Sequence, residues 1–252
     1  MKFCVLASGS KGNAIWVEEG DLAVLFDCGL SFKELKRRVA LVGLDIGKLA
    51  CVLVSHEHRD HVSGLGPLCR ALKIPALANR ATMEAASFIT GSLVWDFFKT
   101  SDSLTLGSFK ITPLPISHDS RDPVAFLIES PSGRLGLATD MGVPTNLIRQ
   151  KFRGLSSLIL EFNHDFKMLM EGSYPWPLKQ RIRSRTGHLA NEVAAELVGE
   201  LKHADLKHLV LAHLSECNNS PGLALEAARL VVGDLLEPEA AGQKEPGSIF
   251  CI

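Results

Sequence analysis

Three histidines and an aspartate fall within six positions of this chain, in Ser55-His56-Glu57-His58-Arg59-Asp60-His61-Val62-Ser63-Gly64. Borderline divalent cations take imidazole and carboxylate ligands. A single surface histidine is ordinarily just that, but four donors at this density point to a metal. The preceding run Ala50-Cys51-Val52-Leu53-Val54 has the length and β-branched content of a buried strand. Ser63-Gly64 and the spacing of Leu65, Leu68 and Leu72 predict a helix after the loop. His56 and His58, two apart in extended chain, share a side, whereas Asp60 and His61 lie past the bend and face a second position.

The remaining ligands should then lie at equivalent ends of later strands. Ser117-His118-Asp119 follows the run Ile111–Ile116, Asp140 follows Leu135–Thr139, and His213 follows Leu209–Ala212. Alone, each would more often be a buried, surface or turn residue; with the opening motif they complete a set. Two metals roughly 3.5–4 Å apart need about three protein ligands each plus a shared carboxylate and a shared water. His56, His58 and His118 would hold one, Asp60, His61 and His213 the other, and Asp140 would bridge. Every donor is hard or borderline, which suits Zn²⁺ or Mn²⁺ and not copper or iron–sulfur chemistry.

The elements that must position these residues read as follows. Phe3–Ala7 is a strand, Ser8-Gly9-Ser10-Lys11-Gly12-Asn13 a glycine-rich loop, and Ala14–Glu18 with Leu22–Phe26 a hairpin. Ser31 can cap a helix carrying Leu35, Val39 and Val42. After the metal-like loop come a short strand at Ile74–Leu77 and a helix over Arg80–Phe88. Leu93–Thr139 is β-rich, with runs at Ser103–Leu106, Phe109–Pro115, Val124–Glu129 and Arg134–Thr139. A second helix-and-strand cycle follows: a helix at Pro144–Phe152, a strand at Ser157–Phe162, a helix through Val193–Leu201, a strand at Leu209–Ala212, and a helix opening at Pro221. This order predicts an α/β fold, a four-layer αββα sandwich of two mixed sheets packed face to face with helices outside. Residues 1–236 would form the one metal-binding domain, and 237–252 a short C-terminal tail, weakly ordered or ending in a strand.

Bulk properties narrow the class. The 252 residues, 46% hydrophobic and 22% charged, suit a globular protein with a sizeable core. A formal net charge of -1 means that any nucleic-acid contact rests on a local patch. No apolar run approaches the roughly 18 residues of a membrane span, and Met1–Ala7 is too short for a secretory signal. The six cysteines contain no CxxC pair and read as reduced, buried residues of a cytoplasmic protein.

The ligand set resembles that of the metallo-β-lactamase superfamily. Several segments resemble, more narrowly, its bacterial YycJ (WalJ) group: Leu6–Ala14, Glu161-Phe162-Asn163-His164-Asp165, Tyr174-Pro175-Trp176-Pro177, Gly187-His188-Leu189-Ala190-Asn191-Glu192 and Leu211–Ser215. They run in the same order from the start to about residue 220. The resemblance implies an αββα fold, a dinuclear site and phosphodiester cleavage of the 5′→3′ DNA exonuclease kind, with DNA preferred over RNA. Phe162 departs from that pattern, where a small polar residue is usual, which implies a changed pocket wall.

The physical reading agrees with that implication. A hydroxide bridging two cations would attack a phosphodiester, the 3′- or 5′-oxygen leaving. Asp60 could both ligate and orient it, and His188 or His164 could protonate the leaving oxygen. His188 is preferred because Gly187 permits close backbone approach to a ligand. The Ser8–Asn13 loop, through Ser8, Ser10 and Asn13, offers small polar groups to a phosphate or is a plain turn. Lys179, Arg181, Arg183 and Arg185 form a basic run suited to a nucleic-acid backbone or to a solvated face, with Arg181 and Arg183 its candidate contacts. Tyr174, Trp176 and Phe162 could stack on bases or belong to the core. The rival readings are a same-fold hydrolase of a small ester, thioester, lactone or cyclic phosphodiester, a di-iron redox protein, and a metal-stabilised binding protein. A carboxylate would be needed at His58 for the second, and the surplus of ligands over four argues against the third.

Overall fold

Along β1 (Lys2–Ala7), Phe3 and Val5 enter one apolar cluster while Cys4 and Leu6 enter another. That alternation, imposed by the two-residue period of a strand, builds the layers of the molecule. The computed structural model describes residues 1–252. After β1 come β2 (Ala14–Glu19), β3 (Leu22–Phe26), α1 (Phe32–Leu41), β4 (Leu49–Leu53), α2 (Arg59–Val62), α3 (Leu65–Leu72), β5 (Ala76–Ala78), α4 (Arg80–Thr90) and β6 (Trp95–Phe97). The rest of the chain gives β7 (Leu104–Leu106), β8 (Phe109–Pro115), β9 (Val124–Ser130), β10 (Gly133–Ala138), α5 (Asn146–Lys151) and β11 (Ser157–Glu161). It ends with α6 (Phe166–Glu171), α7 (Trp176–Ile182), α8 (Asn191–Leu201), β12 (His208–Ala212), α9 (Pro221–Val232), β13 (Glu239–Ala240) and β14 (Ile249–Cys251).

Two seven-stranded sheets result, ordered β14-β1-β2-β3-β4-β5-β6 and β13-β12-β11-β10-β9-β8-β7. Phe3, Val5, Phe26 and Leu53 of the first meet Phe126, Ile128, Ile159 and Val210 of the second in a shared core, with Phe26 and Phe126 edge to face at 4.9 Å. Each such side chain contributes roughly 1.5–3 kcal/mol by leaving water. The outer face of the first sheet carries Leu6, Leu25 and Val52 against Leu35 and Val39 of α1 and Leu65 and Leu68 of α3. The outer face of the second carries Leu158, Leu160 and Leu209 against Leu197 and Val198 of α8 and Ala224 and Ala228 of α9. This is the αββα sandwich.

Several expected boundaries moved for local reasons. The chain turns helical one loop earlier than Ser63, at α2, so Asp60 and His61 sit on a single helical turn. Helices α6 and α7 were not read from the sequence, being only six and seven residues long; Asp165 caps the first by accepting from Met168 N, and Pro175 opens the second. Residues 237–252 supply edge strands to both sheets, β13 beside β12 and β14 antiparallel to β1. All six cysteines are free, but Cys217 and Cys251 are exposed rather than buried.

Candidate metal centre

The polar residues of the site lie where strands end on one rim. Asp27 follows β3, His56 follows β4, His118 follows β8, Asp140 follows β10, His213 follows β12, and Glu161 is the last residue of β11. Strands β3 and β4 are parallel, as are β10, β11 and β12, so their C-terminal ends open together. Asp27, Asp140 and His213 adopt left-handed backbone angles, φ 61°, 55° and 53°. A non-glycine residue pays locally for that conformation, and its cause here is that each must turn its side chain back over the strand end.

Two groups of ligand atoms converge. His56 Nε2 and His118 Nε2 lie 3.1 and 3.2 Å from His58 Nδ1. Beside them, His61 Nε2 is 3.2 Å from Asp140 Oδ2, His213 Nε2 is 3.4 Å from Asp140 Oδ1, and both rings are 3.5 Å from Asp60 Oδ2. Asp140 Oδ1 is also 3.9 Å from His118 Nε2, so this carboxylate faces both groups.

The rear nitrogen of most of these rings is already engaged. His61 Nδ1 donates to Asp27 Oδ2 at 2.8 Å, His213 Nδ1 to Glu161 Oε1 at 3.0 Å, and His118 Nδ1 to the Gly187 carbonyl at 3.2 Å. His56 Nδ1 donates to the Ser55 hydroxyl at 3.0 Å, which itself donates to Asp27. In its neutral form, with the proton held behind, each such ring presents a lone pair forward. One proton on His58 Nδ1 can satisfy only one of its two imidazole neighbours, and Asp140 Oδ2 is buried without a hydrogen-bond partner. Forward lone pairs beside buried carboxylates are the donor chemistry of a divalent-cation site, with carboxylate–histidine pairs fixing the rings. The residues present therefore fit divalent metal.

Electrostatics sort the ligands. Burial, helped by neighbouring imidazoles, drives His56 well down and keeps it neutral. Burial also lowers His118, against the pull of Asp140. For His213 burial acts downward but Asp140, Asp60 and Glu161 outweigh it and raise the ring to about 10; His61 rises for the same reason, facing Asp140, Asp27 and Asp60. Burial acts upward on Asp60 and Asp140, yet His61 and His213 hold both below the ordinary carboxylate range. In Glu161 the same opposition, won by His188 and His213, leaves the carboxyl at about 2.

Of the two histidines considered as proton donors, His188 lies in the cleft. Its Nδ1 is 2.8 Å from Glu161 Oε1, and it lines a cavity of about 190 Å³ together with His213. His164 lies behind the cleft at 2% exposure, its Nδ1 without a partner, and burial pushes it down to about 4. The close approach that Gly187 permits is to α7 and not to a ligand: a Cβ there would stand 2.1 Å from the Ile182 carbonyl.

The loop residues divide differently from the sequence expectation. Ser8 and Asn13 are buried, and their side chains are engaged with the protein's own groups. Ser8 Oγ accepts from His213 N at 2.7 Å, while Asn13 Nδ2 lies 3.3 Å from Asp60 Oδ2 and 3.0 Å from His61 Nε2. Ser10 does line the cavity. The basic run also splits. Arg181 lines the cavity and donates to Asp119 at 2.6 Å, whereas Arg183 stacks on the Phe166 ring at 4.7 Å and is absent from the cavity wall. Lys179 is buried and ties down the Met170 and Gly172 carbonyls. Phe162 is fully buried in the outer core of the second sheet and forms no part of the cavity wall, so neither a changed pocket wall nor base stacking follows from it.

Sequence reasoning passed over Asp27 and Glu161 as site residues. Asp27 fixes Ser55 and His61; Glu161 takes His188 and His213 on one oxygen and the Met141 and Leu189 amides on the other. Each is an acid at the end of an apolar run, the same signature that singled out Asp140.

Comparison with known proteins agrees with this geometry. A model of the beta-lactamase superfamily domain matches residues 23–214. The chain is 36% identical to the exodeoxyribonuclease YycJ of Bacillus anthracis, over 97% of this chain and 92% of that protein. It is 33% identical to the exodeoxyribonuclease WalJ of Streptococcus pneumoniae serotype 2, over 88% of this chain and 85% of that one. The metallo-beta-lactamase fold protein YhfI of Bacillus subtilis superposes with a TM-score of 0.76 at 20% identity, covering 99% of this chain and 98% of that chain.

Proposed function

This chain belongs to the metallo-β-lactamase superfamily and is related over nearly its full length to exodeoxyribonucleases, and from that premise we propose that it hydrolyses terminal phosphodiester bonds of DNA, in the 5′→3′ direction, with two divalent cations. The observation that carries the reading is the pair of neighbouring ligand groups, His56–His58–His118 and Asp60–His61–Asp140–His213, with Asp140 reaching to 3.9 Å from His118 and the Glu161–His188 pair beside them at the mouth of a cavity. His56, His58 and His118 would hold one cation, and Asp60, His61 and His213 the other, with Asp140 between them. When bound, such cations supply Lewis acidity that makes water a nucleophile near neutral pH and neutralises the charge of the phosphate. Zn²⁺ or Mn²⁺ suits this mixture of imidazole and carboxylate.

The protein's own groups do the rest. Asp60, half-shielded and held by Asn13, is placed to orient the attacking water. His188 is fixed by Glu161 through Nδ1, so Nε2 is left to deliver a proton to the departing oxygen. Burial acts against its charged form, but Glu161 and Asp140 prevail and raise its pKa, favouring the acid form that a donor needs. Arg181, steadied by Asp119, offers a planar cation to a phosphate oxygen. No helix is long and apolar enough to cross a membrane, and we place the reaction in the cytoplasm.

The deciding experiment incubates Zn²⁺- or Mn²⁺-loaded protein with end-labelled single- and double-stranded DNA and RNA, beside a thioester, a lactone and a cyclic dinucleotide. Stepwise loss of DNA from its 5′ end is expected. Turnover of one of the small esters without cleavage of any nucleic acid would overturn the reading.

A further inference from the structure

The rim that carries the ligands continues past the first ligand group to the ends of β5 and β6. These strands run parallel to β4, so Asn79 after β5 and Phe97 at the end of β6 open on the same side as His56. Here lies an open groove of about 760 Å³, which shares no lining residue with the cavity beside His188. Phe97 stands in its wall 52% exposed, with Arg80 Cζ 5.7 Å from the ring centre. A lone exposed apolar side chain is ordinary on a protein surface. An aromatic ring inside a groove, paired with a guanidinium, is the combination that engages unstacked bases. Hydrogen bonds lace the groove to the metal rim. Arg121 N donates at 2.9 Å to the carboxylate of Glu57, which lies between His56 and His58, and Asn79 Nδ2 donates to the Asp122 carbonyl at 2.7 Å. Arg59 follows His58, Arg121 precedes Asp122, and Arg80 follows Asn79. All three arginines are exposed and none is ion-paired, unlike Arg181, which Asp119 holds. A row of free cations therefore leads from His58 to Phe97. Within the groove Arg80 and Lys99 stand against Glu84 and Asp122, so its walls are balanced in charge and suit a base, whereas phosphates belong along the row.

We propose that this groove holds single-stranded DNA away from the reacting terminus: one base stacks on Phe97, and Arg59, Arg121 and Arg80 follow the phosphates between that base and the ligand groups. The inference rests on the nuclease reading above and adds where the uncut part of the strand lies. A duplex keeps its base faces within its own stack, so the ring grips only an unpaired strand. Stacking reads no base edge and the arginines meet only phosphate, so all sequences are held alike.

The test measures, by fluorescence anisotropy, how metal-loaded protein binds labelled oligodeoxythymidylates of two to twelve nucleotides, with phosphorothioate linkages that resist cleavage. Wild-type affinity should climb with length until the strand reaches Phe97, and then level off. Phe97→Ala should weaken binding of the twelve-nucleotide strand roughly ten-fold, as loss of one stacked base does, and leave the two-nucleotide strand at wild-type affinity. Phe97→Trp keeps a flat face and should hold the long strand as tightly as wild type. Replacing Arg80 and Arg121 together by alanine should flatten the plot of log affinity against log salt by about 1.4, the share of two phosphate contacts on a single strand. Equal weakening of both lengths by Phe97→Ala, or no weakening of the longer, would overturn the groove and leave the nuclease reading intact. So would a wild-type dimer that Phe97→Ala converts to monomer with DNA affinity unchanged, since the face would then belong to a second copy of the chain. Phe97-dependent binding without cleavage of unmodified DNA would overturn the nuclease reading and keep the groove. Absence of DNA binding by wild type at every length would overturn both.

Discussion

Glu161 joins the two halves of the chemistry through one oxygen, which accepts from His213 behind the second ligand group and from His188 at the cavity. Its other oxygen accepts two backbone amides, so the carboxylate cannot swing away. Replacing it by glutamine keeps the volume and removes the charge. Weakening a carboxylate behind a ligating imidazole typically costs 10–100-fold in metal affinity, and Glu161→Gln should do so in a chelator-competition titration. Its effect on His188 has a definite sign. In the proposed mechanism His188 must be protonated to serve the leaving group, and Glu161 raises its pKa, which would keep that form available to higher pH. At saturating metal, the alkaline fall of kcat in Glu161→Gln should therefore begin at lower pH than in wild type. An unshifted alkaline limb would remove Glu161 from the proton path. The neighbouring candidate ligands stood out in the sequence because four of them crowd into six positions. Glu161 and Asp27 were not, since an acid ending a strand looks the same whether it binds a cation, caps a turn or holds a histidine.

At the scale of elements, the opening motif works only because another loop is laced to it. Cys28 N donates to the His61 carbonyl, Gly64 N to the Cys28 carbonyl, and Asn13 N to the Asp60 carbonyl, at 2.7, 2.8 and 2.7 Å. These bonds bring backbones so close that two positions admit no side chain. A Cβ on Gly29 would fall 1.8 Å from the Asp60 carbonyl oxygen, and one on Gly64 would fall 1.7 Å from that of Leu30. Gly64→Ala must therefore move backbone, at a cost of about 1–3 kcal/mol or more. It should lower the thermal midpoint by several degrees and reduce bound metal, because α2 carries Asp60 and His61. Unchanged calorimetry and full metal content would show that the loops are not coupled as described. The succession of strands along the chain, the αββα layering and the placement of candidate ligands at strand ends could be read from apolar runs; the order of strands within each sheet could not. Helices α6 and α7 could not, because they are short, punctuated by Pro175 and Pro177, and packed over a site and not over a continuous core. Yet α7 lines the cavity beside His188 with Leu178, Arg181 and Ile182, so an element at the candidate site is one that the sequence did not reveal.

The whole molecule closes through its last residues. Strands β13 and β14 pair with β12 and β1 and so cover one edge of each sheet, where unpaired strands would otherwise invite association. Between them the chain crosses the glycine-rich loop. Gln243 Oε1 accepts from Lys11 N at 2.8 Å, its Nε2 donates to the Gly12 carbonyl at 2.9 Å, and Ser8 N donates to the Gly242 carbonyl at 3.1 Å. This strap holds the loop whose Ser8 fixes His213 and whose Asn13 fixes Asp60, so a segment far away in sequence bears on the position of two candidate ligands. Gln243→Ala removes two hydrogen bonds worth about 0.5–1.5 kcal/mol each at a partly exposed site, so the protein should still fold. Its thermal midpoint should drop by a few degrees, and, on the proposed two-cation reading, affinity at the group containing Asp60 and His213 should fall more than affinity at the group of His56, His58 and His118. Titration of metal-free protein with Zn²⁺ would resolve the two steps. Equal weakening of both, or of neither, would mean that the strap serves the sheet edges alone.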